Sequence, residues 1–153
     1  MSDNVSAFLN TSPSDSPEMI DLPVGKYRFQ VAGYNARAVG ADNKVLLTIN
    51  LRPIEVIDSD GVTDDQLAYV DTVRQKYWAT DKALASSNPS ISLKAFLKHV
   101  LREQQTAEEV ESEEYKVLLE LAIGQEFVGI SKINMEGRNK DEPTPVVGRF
   151  VAE

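Results

Sequence analysis

Basic and aromatic side chains interleave at three points in this chain. Lys26, Tyr27, Arg28 and Phe29 form one run, Tyr34 lies near Arg37 in a second, and Arg74, Lys76, Tyr77 and Trp78 form a third. That combination has a specific chemical use. A flat ring stacks on an unpaired base for roughly 1–3 kcal/mol, and a neighbouring Lys or Arg neutralises the phosphate chain that carries the base. Arg52 adds a further cation, while Phe127 with Lys132 and Phe150 with Arg149 repeat the pattern more weakly. Rings also favour strands for packing reasons alone, so Phe29, Phe127 and Phe150 are first of all core candidates. Trp78, the only tryptophan, stands apart. Strand alternation puts it on the face of Arg74 and Lys76, opposite Val73, Gln75 and Tyr77. The nominated contacts are Lys26, Arg28, Arg37, Arg52, Arg74 and Lys76 for phosphates, with Tyr34, Tyr77 and Trp78 for bases.

Other chemistries find less material. The single histidine, His99, sits between Lys98 and Val100 at what reads as a helix rim. A zinc ligand or general base needs partners, and none cluster around it in the sequence. Residues 58–65, DSDGVTDD, are rich in oxygen ligands but lack the spacing and the closing bidentate Glu of a calcium loop. Glu108, Glu109, Glu111, Glu113 and Glu114 open a helix, where negative charge complements the dipole. Gly33 and Gly40 fit neither a phosphate loop nor a dinucleotide fingerprint. Without cysteine there is neither a disulfide nor a thiolate metal site. These readings point to a binding protein rather than an enzyme, with no cofactor and no metal.

The totals narrow the class. A chain of 153 residues, 42% apolar and 26% charged, suits one domain around one core. Its first 19 residues lack the basic start and apolar stretch of a secretory signal. No apolar run approaches the roughly 20 residues of a membrane helix. The expectation is a cytoplasmic protein (host cytoplasm, if phage-encoded) with no membrane partner. Net charge is −8, which argues against coating duplex DNA by charge alone. The charge is unevenly spread. Residues 26–52 and 73–105 each carry +4, whereas 53–72 and 106–126 each carry −6. A basic strand face inside an acidic shell would confine a polyanion to one groove. The same negative total motivates a rival reading: an acidic protein-interaction module, such as a phage inhibitor that mimics DNA or an assembly or virion component, binding no nucleic acid.

The elements that must position these residues follow from periodicity. Residues 1–22, rich in Ser, Asp, Asn and Pro, read as a flexible arm, and 23–153 as the domain. A strand over 26–36 sends Tyr27, Phe29 and Val31 one way and Lys26, Arg28 and Gln30 the other. The turn residues 40–43 precede a second strand over 44–57, with Val45, Leu47, Ile49 and Leu51 inward and Pro53 bending it. An acidic loop with one helical turn near 66–69 leads to the third strand, 73–78. Thr80 caps a short turn, and Asn88-Pro89 caps a helix over 91–101 that buries Leu93, Phe96, Leu97, Val100 and Leu101. A capping box from Thr106 to Glu109 opens a second helix to residue 123, burying Val110, Val117, Leu118, Leu121 and Ala122, with Gly124 ending it. Strands over 126–133 and 145–151, joined by a turn at 136–139, complete the order. Five strands with helix between the third and fourth predict a mainly β, α+β fold: a five-stranded OB-like barrel with a helical insert.

Several stretches resemble a family of small phage-encoded OB-like proteins of DNA replication and recombination, treated as single-stranded DNA-binding proteins. LPVGKYRFQV at 22–31 is similar to the family's first strand, and KVLLTINLR at 44–52 resembles its second. QKYWATD at 75–81, followed by LKAFL at 93–97, resembles its strand-to-helix step, and AIGQEFV at 122–128 its return to strand. The likeness covers roughly residues 8–133 and carries no catalytic motif. It implies non-sequence-specific binding of single-stranded DNA, or of RNA by the same chemistry, on the strand face and without a cofactor. Its implied partners are replication or recombination proteins, and self-association into a homo-oligomer is compatible with it.

Overall fold

Two long strands carry the sheet of this protein. A computed structural model describes residues 2–15, 18–134 and 144–152. β1 (Gly25–Val39) and β2 (Lys44–Asp58) form an antiparallel hairpin. Its turn needs left-handed backbone at both ends, supplied by Gly40 (φ 77°) and Asn43 (φ 51°). Apolar side chains at every second position, Tyr27, Phe29 and Val31 on β1 and Leu47, Ile49 and Leu51 on β2, drive the hairpin to bury one face. The register shifts beside Pro53, which cannot donate to a ladder. β3 (Val73–Trp78) pairs with residues 46–51 of β2, so Pro53 lies beyond that ladder.

β4 (Glu126–Asn134) runs along the other side of β1, and β5 (Thr144–Val151) pairs with β4. The result is a mainly β fold with a five-stranded antiparallel sheet in the order β3-β2-β1-β4-β5. Among the described residues no main-chain ladder joins β3 to β5, so the ladders leave the sheet open rather than closing the expected barrel. The two edges nevertheless meet. The Gln75 carboxamide donates to the Val147 carbonyl and accepts from the Val147 amide, both at 2.9 Å.

The helices between β3 and β4 cap the inner face. These are α2 (Asp81–Leu84), α3 (Leu93–Val100), α4 (Ala107–Ser112) and α5 (Tyr115–Ala122); a separate α1 (Ser2–Leu9) precedes the sheet. The face of α3 expected from its spacing is buried in full, from Leu93 through Leu101. Phe96 sets its ring edge-on to Phe127 at 5.8 Å, and Phe127 stacks on Phe29 and Phe150 at 5.6 and 5.1 Å. Each such pair contributes about 0.5–1.5 kcal/mol beyond the area it buries. His99 lies at this cluster's edge, its ring against Phe150.

The structure corrects several expectations. α3 is capped by Ser92, whose hydroxyl accepts from Ala95 N; Asn88-Pro89 instead closes a turn before it. The capping box of Thr106 and Glu109 is present, but the helix breaks at Glu113, whose backbone is extended. α5 restarts in a new phase and buries Leu118, Leu119 and Ala122, leaving Val117 and Leu121 exposed. Val45 is also exposed, one residue beyond the β2–β3 ladder. Ile20 makes a parallel bridge to Val70, and Leu22 is in the core. The turn at 136–139 lies outside the described residues. Among the described residues no helix is long and apolar enough to cross a membrane.

Candidate nucleic-acid interface

The candidate interface begins with the six residues of β3. Val73, Gln75 and Tyr77 are buried and Arg74, Lys76 and Trp78 exposed, a strict alternation. On the outer face Trp78 stands opposite Leu46, Lys76 opposite Thr48 and Arg74 opposite Asn50. Leu46 in turn lies opposite Arg37 on β1. Arg37, Leu46 and Trp78 therefore form one row across three strands, roughly 10 Å wide at the usual strand spacing. Trp78 is 42% exposed.

Three hollows follow β3. The first is lined by Asp21, Asp71, Thr72, Arg74, Lys76, Thr144 and Pro145. The second, 370 Å³, lies over the seam between β3 and β5 and shares Arg74 and Lys76 with the first. It adds Lys132 from β4 and Asn88, Ser90 and Ile91 from the turn before α3. The third, 560 Å³, shares Ile91 and brings Trp78 together with Lys44 and Lys82. The three lie in succession along β3, the first two sharing Arg74 and Lys76 and the last two Ile91, and are taken together as the β3 groove. Its cations are Arg74, Lys76, Lys132, Lys44 and Lys82; its carboxylates, Asp21 and Asp71, lie at one end. Asp71 stands 3.9 Å from Arg74 with both side chains more than half exposed, a geometry that stabilises little.

The nominated residues divide. Arg74, Lys76 and Trp78 lie in the groove, and Arg37 flanks it in the Trp78 row. Arg52 is exposed on the same sheet face, but its guanidinium donates to Gln30 Oε1 at 2.9 Å. Lys26 and Arg28 face outward farther along β1, beside β4. Arg28 there meets Glu55 at 3.3 Å and lines a separate hollow with Glu103 and Glu126. Tyr34 is on the opposite face. Its hydroxyl donates to Glu120 Oε1 at 2.8 Å, and its ring lines an apolar hollow with Val45, Leu47, Tyr115 and Leu119.

Tyr77 is removed from the stacking set. It is 1% exposed, its hydroxyl donates to the Pro89 carbonyl, and its ring packs on Phe96 at 5.4 Å. Burial drives its phenol well above the ordinary value. The residue alternates with Trp78, so one strand cannot present both rings to the same ligand.

Three groove cations were absent from the nominated set: Lys44, Lys82 and Lys132. Lys82 has a readable signal, since α2 starts three residues after Trp78 and folds back beside it. Lys132 has only the weak pairing with Phe127 in the sequence, and nothing local places it beside β3. It reaches the groove because Gly148 leaves room for its stem; a Cβ at that glycine would lie 2.6 Å from Lys132 Cδ. The acidic residues at 108–114 have local uses. Glu109 completes the Thr106 capping box, and Glu111 pairs with Lys98, which holds its carboxyl below the usual range. Among the described residues no group of three or more His, Asp or Glu side chains is arranged to hold a metal ion. No protein-family model matches the chain, and no curated protein matches it significantly.

Proposed function

We propose that this protein binds single-stranded DNA without sequence preference along the β3 groove, in replication or recombination of the phage type. The observation that carries the reading is the half-exposed Trp78 ring on the same face as Arg74 and Lys76, where hollows on either side add three lysines. Cations track the backbone and the indole takes a base, a combination that tolerates any sequence because every base has a flat face. A duplex hides those faces, and the acidic remainder of the molecule repels it.

The sheet supports the same reading. We interpret it as a partly open barrel of OB type. With β3 and β5 drawn together, the strands run 1-2-3-5-4 around a ring, and OB folds bind oligonucleotides on the face of strands 2 and 3. The likeness to phage single-stranded DNA-binding proteins belongs to this proposal. The acidic-module alternative rests on net charge, and Glu109 and Glu111 of its acidic segment are held in local contacts.

Titration of the intrinsic fluorescence of Trp78 with oligo-dT tests the reading. The expected result is quenching at low salt that weakens as salt rises, by about 0.7 in the log–log slope for each phosphate contact. Absence of quenching at low salt, or affinity indifferent to salt, overturns it.

A further inference from the structure

The interior of the sheet is apolar with few exceptions, and Gln75 is the exception that faces the seam. Among the described residues the buried polar side chains are Gln75, Ser92 and Ser131. Ser92 caps α3, and Ser131 binds the backbone at Pro23 and Gly25. Gln75 is 3% exposed and spans two strands that share no ladder. Its two bonds to Val147 are those a facing peptide group would supply. An apolar side chain here would leave the Val147 amide and carbonyl unpaired in a buried seam, a penalty a merely space-filling position would not carry.

The link has a geometric effect on the groove. Arg74 and Lys76 flank Gln75 on β3. Lys132 comes from the other side of the seam, on β4 opposite Val146, with its stem laid over Gly148. All of these residues line one hollow. The β4–β5 ribbon carries Lys132, and the Gln75–Val147 pair ties that ribbon to β3.

We propose that Gln75 is a positioning residue of the groove: it sets the separation of the two sheet edges so that Arg74, Lys76 and Lys132 converge on one polyanion. This rests on the single-stranded DNA reading above. The test is a double-mutant cycle on the full chain, with Gln75→Leu, Lys132→Ala and the double variant. The readouts are the salt dependence of oligo-dT binding and the thermal midpoint.

Lys132→Ala is expected to reduce the slope by about 0.7, one phosphate contact on a single strand. Gln75→Leu, with Lys132 intact, is expected to reduce it by a similar amount, and the double variant by no more than either alone. Gln75→Met, closer in length and volume, replaces Gln75→Leu if that variant does not fold. Additive losses make Gln75 independent of Lys132, and a lower midpoint with the wild-type slope assigns Gln75 to stability alone; either result overturns the inference. A wild-type protein that does not bind oligo-dT overturns both this inference and the reading beneath it. A wild type that binds with an uncoupled cycle overturns only this one.

Discussion

At the scale of single residues, the two adjacent rings of β3 have opposite roles. Trp78 stands outside the core, so shortening it removes a contact surface without opening a cavity. Trp78→Ala is expected to weaken oligo-dT binding about 10–100-fold, the range of one lost stacking contact, with little change in thermal midpoint. Trp78→Phe should retain most of the affinity in the same titration. Tyr77 belongs to stability. Burial raises its phenol, and burial likewise raises that of Tyr27 against the opposing hydrogen bond with Ser59. The folded chain keeps protons that the unfolded chain releases above about pH 10. The associated stability is present below that pH and is lost as pH rises beyond it. Urea unfolding at pH 8 and pH 10.5 should show a larger loss for wild type than for Tyr77→Phe. The variant starts lower because the bond to Pro89 is gone.

At the scale of elements, β4 depends on a close approach. A Cβ on Gly129 would lie 2.7 Å from Val147 Cγ1, 3.3 Å from the Arg149 carbonyl and 3.4 Å from Phe29 Cε2. Gly129→Ala must therefore push β5 or the Phe29 ring aside, and a loss of about 1–3 kcal/mol in urea unfolding is expected. Nothing in the local sequence announces that contact, because its parties come from three strands. What was legible was what period alone decides. The facing of Tyr27 against Arg28, of Tyr77 against Trp78, and the whole inner stripe of α3 follow from spacing. The phase of α5 did not follow. Counting at 100° per residue from Thr106 through an unbroken helix points Val117 and Leu121 inward, and the break at Glu113 resets the count. The candidate site was half legible for a related reason. Arg74, Lys76 and Trp78 share one strand, whereas Lys44, Lys82 and Lys132 arrive from three other elements.

At the scale of the molecule, a chain of net charge −8 gathers Arg74, Lys76, Lys132, Lys44 and Lys82 along one track. Competition between oligo-dT and a duplex of equal length, followed by Trp78 fluorescence, is expected to favour the single strand at every salt concentration. Comparable affinity for the two would mean that phosphates alone are being read. The seam beneath the track has a further consequence. From Lys26 to Gln30, β1 is paired with β2 on one side and β4 on the other, while among the described residues β3 and β5 are hydrogen-bonded through the Gln75 carboxamide. Deuterium from solvent will therefore enter the amides of β1 last and those along the two sheet edges early, through small openings that leave the rest of the fold intact. An oligonucleotide lying over that line would bridge both edges and slow the exchange there, reporting its own position without any label on the DNA.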